Sequence, residues 1–145
     1  MRRRFPGLHQ ADQSAASDVP DGLFLVRVER AQYRWHAQKP YYHLRFAVLE
    51  PRQGEGKIFA GRLYCTPKAL WKLIWFLRDF GYDHELLAHD EIEDKRLVGL
   101  RGIVKISHTS LNGSPFLNLD GFAPACQWEE LQVVSRAIAS GPEAA

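Results

Sequence analysis

Along residues 22–36, GLFLVRVERAQYRWH, apolar Phe24, Val26 and Val28 alternate with Arg27 and Glu29. That two-residue period belongs to a strand buried on one face. Leu23 and Leu25 break the alternation, which predicts a second element over this end of the strand. After a short loop at 37–40, YYHLRFAVLEP carries the clearest two-residue period in the chain. Tyr42, Leu44, Phe46 and Val48 take one face and Tyr41, His43, Arg45 and Ala47 the other. Pro51, Gly54 and Gly56 mark a turn. GKIFAGRLYC then reads as a third strand, with Phe59, Gly61, Leu63 and Cys65 inward and Ile58, Ala60, Arg62 and Tyr64 outward.

The period changes to that of a helix in TPKALWKLIWFLRDFGY. Thr66 is the expected N-cap, Pro67 the first helical residue and Gly81 the stop. Leu70, Leu73, Ile74, Leu77 and Phe80 form the apolar stripe, widened by Trp71, Trp75 and Phe76. Those three extra aromatics are expected to pack on the end of a barrel or on a partner subunit. Residues 82–98 form an acidic connector with room for one helical turn. LRGIVKISHTS and SPFLNLDGFAP read as two further strands, joined by the hairpin pair Asn112-Gly113. Residues 1–20 are expected to be a flexible basic arm, and 127–145 a short helical or disordered tail. Three strands, one helix and two strands make residues 21–126 an all-β domain with one inserted helix. In chain order this is a five-stranded OB-fold barrel with its helix between strands 3 and 4. An SH3-like barrel usually lacks a long amphipathic helix in that slot.

Length and composition fit one domain: 145 residues, 46% apolar and 12% aromatic. No apolar run reaches the roughly 18 residues of a membrane span. The basic start is followed by ADQSAASDVPDG instead of an apolar signal core, so a cytoplasmic location is expected. Cys65 and Cys126 are expected to be reduced. Net charge is only +2, yet residues 21–80 hold eleven Lys/Arg against five Asp/Glu, and 81–98 six acids against two bases. A dipolar molecule with a basic half suits a polyanion. No phosphate loop or nucleophile elbow is present. His84 and His89 are five apart, a spacing that parts them on a helix, and neither cysteine has a C-x-x-C partner. No catalytic residue, metal or cofactor is therefore expected. Asn112-Gly113-Ser114 reads as a hairpin turn and not as a glycosylation acceptor.

In WHAQKPYYHLRF, cations are threaded between aromatics. If the even-numbered residues of the second strand fill the interior, Tyr41, His43 and Arg45 face outward beside Arg62 and Tyr64 of the third. Tyr33, Arg34, Trp35 and Lys39 stand at the rim. Exposed aromatics stack on bases of any sequence, and cations neutralise the intervening phosphates. The nine residues are therefore the expected contact set for single-stranded DNA. Two other readings remain open. RNA is the alternative polymer, and a protein-interaction adaptor would use Leu23, Leu25 and the Trp71/Trp75 face.

The succession DGLFLVRVERA, YYHLRFAVLEPRQGEGKIFAGRLYC, PKALWKLIWFLRDFGYD, LVGLRGIVKI and NGSPFLNLDGFAP resembles the phage-type single-stranded DNA-binding proteins, formerly counted a domain of unknown function. The resemblance covers roughly residues 21–124 and includes Leu97-Val98-Gly99 at the entry to the fourth strand. It implies an OB fold, sequence-tolerant binding of single-stranded DNA, and a role in replication, recombination or repair. It also implies a homodimer or other small homo-oligomer. The ending SGPEAA lacks the acidic tip with a terminal aromatic of better-known bacterial single-strand binders.

Overall fold

The computed structural model describes residues 2–3 and 19–131. Most of the expected arm and tail lies outside them. Five strands form one antiparallel sheet: β1 (Gly22–His36), β2 (Lys39–Glu50), β3 (Ile58–Tyr64), β4 (Arg101–Leu111) and β5 (Ser114–Pro124). Their order across the sheet is β3-β2-β1-β4-β5. Between β3 and β4 lie α1 (Leu70–Asp79), α2 (His84–Ala88) and α3 (Asp94–Leu97). The protein is thus mostly β with helices in the predicted slot, an arrangement consistent with an OB-like fold. Among the described residues no ladder joins β3 to β5, so the expected closed barrel appears as a curled sheet. Its edges still meet. A Cβ added to Gly61 of β3 would lie 2.6 Å from the Leu119 side chain of β5, so glycine is what admits that leucine.

The core lies on the concave face. Val26, Val28, Leu44, Phe46, Phe59, Leu63, Phe76 and Leu77 are all at most 2% exposed. Each such side chain contributes roughly 1.5–3 kcal/mol of burial free energy. Tyr42, Leu44, Phe46 and Val48 of the second strand and Phe59, Gly61 and Leu63 of the third are buried as read, Cys65 is half-buried just past β3, and the third-strand register is as expected. Phe46 joins sheet to helix, its ring 5.3 Å from Phe59 and 6.3 Å from Phe76 between centroids. Val19, expected in the arm, is instead packed in this core.

Helix α1 starts later than predicted. Thr66 to Ala69 form a turn, with the Ala69 N–H donating to the Thr66 carbonyl at 2.9 Å. The N-cap is Ala69, so neither Thr66 nor Pro67 holds its expected capping role. The reason lies in the strand before it: the Cys65 N–H still donates to the Pro40 carbonyl, keeping the chain in the sheet one residue past β3. The stop is as expected. Gly81 has φ +78°, the Tyr82 N–H donates to the Leu77 carbonyl and the Gly81 N–H to that of Arg78, a Schellman end. The face packed on the sheet is Leu73, Phe76, Leu77 and Phe80, whereas Leu70, Trp71 and Ile74 are exposed. Helix rotation therefore moves the buried stripe off two of its predicted leucine-class positions.

The acidic connector holds two short helices instead of one turn. The Asp83 carboxylate caps α2 by accepting from the Glu85 and Leu86 N–H groups. Arg96 binds Asp83 and Glu93 at 2.9 and 2.8 Å. The Tyr82 hydroxyl donates to the Glu91 carbonyl and accepts from the Glu93 N–H. Asn112 and Gly113 both adopt positive φ, the backbone of the hairpin turn that the sequence predicts. Leu25 pairs with Ile103 and Leu23 with Lys105 on the convex face. There Leu131 borders a cleft of about 320 Å³ with Leu23 and Ile103, and Leu23 and Leu25 are half-buried. Among the described residues no helix is long and apolar enough to cross a membrane.

Candidate nucleic-acid interface

A β-bulge decides what the outer face carries. In β1, Val28 pairs with Phe46, but the next pair is Arg30 with Arg45, so Glu29 is the extra residue. A bulge reverses the facing of every later residue on its strand. Unbroken alternation from Val28 would turn Arg30, Gln32 and Arg34 inward. The bulge turns them outward and places Ala31, Tyr33 and Trp35 in register with Leu44, Tyr42 and Pro40 of the inner face.

The convex face of β1, β2 and β3 is therefore built in rows about 6.7 Å apart along the strands. One row is Arg30, Arg45 and Ala60. The next is Gln32, His43 and Arg62, followed by Arg34, Tyr41 and Tyr64, with His36 and Lys39 at the hairpin end. Arg30, Arg34, Arg45 and Arg62 are exposed, and among the described residues none of them forms an ion pair with a carboxylate. Arg27, one row back, is paired with Glu29 at 2.5 Å.

Tyr41 departs from expectation. It lies on the outer face as its register requires, yet it is 5% exposed. The Arg62 guanidinium carbon stands 4.8 Å from its ring centroid and the Tyr64 ring 5.4 Å away. Arg62 also donates to the Tyr64 hydroxyl at 3.5 Å. A cation over a π face and a tilted ring pair are both attractive, so the three side chains close over one another. Tyr41 is thus a floor under Arg62, not a surface for a base. Arg45 is open to solvent, and His43 and Tyr64 are half-buried. Arg34 donates to Gln32 beside it.

Tyr33 and Trp35 also sit differently from the expected single platform. They extend the inner-face ladder beyond the core: Tyr33 meets Tyr42 edge-on at 5.3 Å, and Trp35 meets Tyr33 edge-on at 6.0 Å. They are 46% and 63% exposed. Burial, followed by the neighbouring Asp94 carboxylate, pushes the Tyr42 phenol well above its ordinary range, which marks where this ladder leaves solvent. The hairpin arm thus has arginines on one face and open aromatics on the other. Strand β4 pairs with β1 from Gly22 to Arg27, and the Val28 N–H and carbonyl still bond Leu100 and Gly99, so among the described residues no strand pairs with this β1 edge beyond Val28.

Sequence reasoning did not place Arg30 and His36 on this face, because both needed the bulge to be seen. The signal available was the polar run Glu29-Arg30 directly after the apolar Val28, where a strict period-2 strand would carry an inward apolar residue. No protein-family model and no curated protein matches this chain.

Proposed function

We propose that the chain binds single-stranded DNA without sequence preference, as an OB barrel acting in replication, recombination or repair. The observation that carries this reading is the set of Arg30, Arg34, Arg45 and Arg62 spread over three successive rows of one face, unpaired with carboxylates among the described residues. Four like charges on one small face repel one another, and a polyanion relieves that repulsion. Guanidinium groups also grip phosphate oxygens through paired N–H bonds. A strand laid along the free β1 edge meets these cations on one side and offers its bases to Tyr33 and Trp35 on the other. Stacking there is worth about 1–3 kcal/mol per base.

The test is a titration with oligothymidine of increasing length, followed through tryptophan quenching at several salt concentrations. The expected log–log salt slope is roughly −2 to −3, about 0.7 for each phosphate neutralised. No binding, or a flat salt response, overturns the reading. Gel shifts with duplex DNA and RNA oligonucleotides decide the polymer.

A second reading has its own observation. Leu70, Trp71 and Ile74 leave an open apolar patch on α1, with Trp71 stacked on Trp75. Such a patch fits a protein contact, either an adaptor role or a small homo-oligomer. Sedimentation with and without oligonucleotide separates the two.

A further inference from the structure

The arginine wall does not end at the hairpin. Its last row, His36 and Lys39, borders a cleft of about 560 Å³ whose other walls include Tyr64, Thr66 and Lys68. Three nitrogen-bearing side chains thus reach one hollow from the end of β1, the start of β2 and the turn before α1. No carboxylate lines the cleft. Among the described residues neither Lys39 nor Lys68 takes part in an ion pair. The hydroxyl-bearing Thr66 and Tyr64 add groups that donate a hydrogen bond to an anionic oxygen. Ala69, the N-cap of α1, lines the same hollow, no side chain caps that helix, and its first turn holds no acid.

The cleft is held open by the sheet. The Cys65 N–H to Pro40 carbonyl bond ties the exit of β3 to the entry of β2, and the Ala69 N–H to Thr66 carbonyl bond closes the turn that holds Lys68. Tyr64 belongs to both places. Its ring packs on Tyr41 under the wall, and it forms part of the cleft lining. The row spacing of about 6.7 Å is of the order of the phosphate separation in an extended single strand, so a chain following the rows arrives here with a phosphate in step.

We infer that this cleft is a phosphate subsite, in which Lys68, His36 and Thr66 join Lys39 to hold one phosphate group of a strand that continues past the wall. The inference rests on the single-strand reading above and extends it from the wall's last row to Lys68 and Thr66, which the wall does not include. The phosphate is either an internal diester or the monoester at a strand end.

The test uses the full chain and oligothymidines with a 5′ phosphate, a 3′ phosphate or neither. Lys68→Glu is compared with wild type and with Lys95→Glu on α3, a charge-matched control outside both wall and cleft. Lys68 is exposed and outside any helix or strand, so folding is retained, which a thermal melt verifies. Lys68→Glu is expected to weaken binding about tenfold or more, the scale of one charge-assisted contact, and to flatten the salt slope by about 0.7. Lys95→Glu is expected to do neither. Thr66→Val, which removes a hydroxyl and no charge, is expected to weaken binding a few-fold. A gain from one terminal phosphate that vanishes in Lys68→Glu assigns the monoester. Equal affinity with and without terminal phosphates, with the loss in Lys68→Glu kept, assigns the diester. If wild type binds while Lys68→Glu loses no more than Lys95→Glu, the subsite is wrong and the wall stands. If wild type binds no oligonucleotide, both fall.

Discussion

The Arg62 guanidinium lies across the face of Tyr41, its central carbon 4.8 Å from the ring centroid, on the outer surface of the sheet. One side chain thereby serves two ends. It seals an aromatic that the strand register turns toward water, and it is held by that aromatic in a fixed place on a cationic wall.

The two residues are therefore expected to respond differently to removal. Tyr41→Ala empties a buried position, and its cost is stability, about 3 kcal/mol. Arg62→Ala removes an exposed cation and uncovers the ring, so its main cost is affinity for oligonucleotide, with stability lowered by about 1 kcal/mol or less. Urea denaturation and oligothymidine titration of both variants check the pair. The assignment fails if Tyr41→Ala melts like wild type.

Trp35→Ala tests the opposite face of the arm. Trp35 is 63% exposed and touches mainly Tyr33, so its loss is expected to change stability by no more than about 0.5 kcal/mol. Affinity is expected to fall by about 1–3 kcal/mol, that of one stacked base. An unchanged dissociation constant would leave the hairpin aromatics without a part in binding.

How legible this was in the sequence depended on whether a residue obeyed one rule or two. From Tyr42 to Val48 the second strand obeys one: its alternation put Leu44 and Phe46 inside and Arg45 outside. Its hairpin partner obeys two, because the bulge at Glu29 reverses the alternation midway, and its trace in the sequence is no more than the polar pair Glu29-Arg30 after Val28. Arg30 became outward and Tyr33 inner-facing for that reason. Tyr41 shows a further gap. Its facing was legible, but its burial depends on Arg62 and Tyr64 from another strand folding over it. The hairpin turn at Asn112-Gly113 and the helix stop at Gly81 were readable because both need positive φ, a local demand that glycine or asparagine meets. The helix start was not, since the tie between Cys65 and Pro40 is a contact between distant parts of the chain.

Gly102→Ala probes how α1 is seated. A Cβ at this position of β4 would lie 2.4 Å from the Phe80 ring, which is itself buried against Phe46 and Phe122. A rigid ring hemmed in on several sides has little room to yield, so the variant is expected to lose about 1–3 kcal/mol of stability. A lowered urea midpoint with an unchanged m-value is the expected result, and a midpoint equal to wild type would mean that the ring has space to move.

Alkaline pH tests the boundary at Tyr42. Burial, then the Asp94 carboxylate, raises this phenol above its ordinary range, so the folded protein keeps the proton that the unfolded chain releases above about pH 10. A raised folded-state value means that the stabilisation is complete below about pH 10 and is lost as pH climbs toward that raised value. Burial also raises the nearby Cys65 thiol, and the same sign applies there from about pH 8.5 upward. Tyr42→Phe separates the two because it keeps the ring against Tyr33 and removes the titrating hydroxyl. Urea midpoints measured from pH 8 to about 11 are expected to fall in both proteins as the thiol titrates. The wild type should fall further once pH passes about 10, and parallel curves would mean that the Tyr42 hydroxyl is solvated in the folded state.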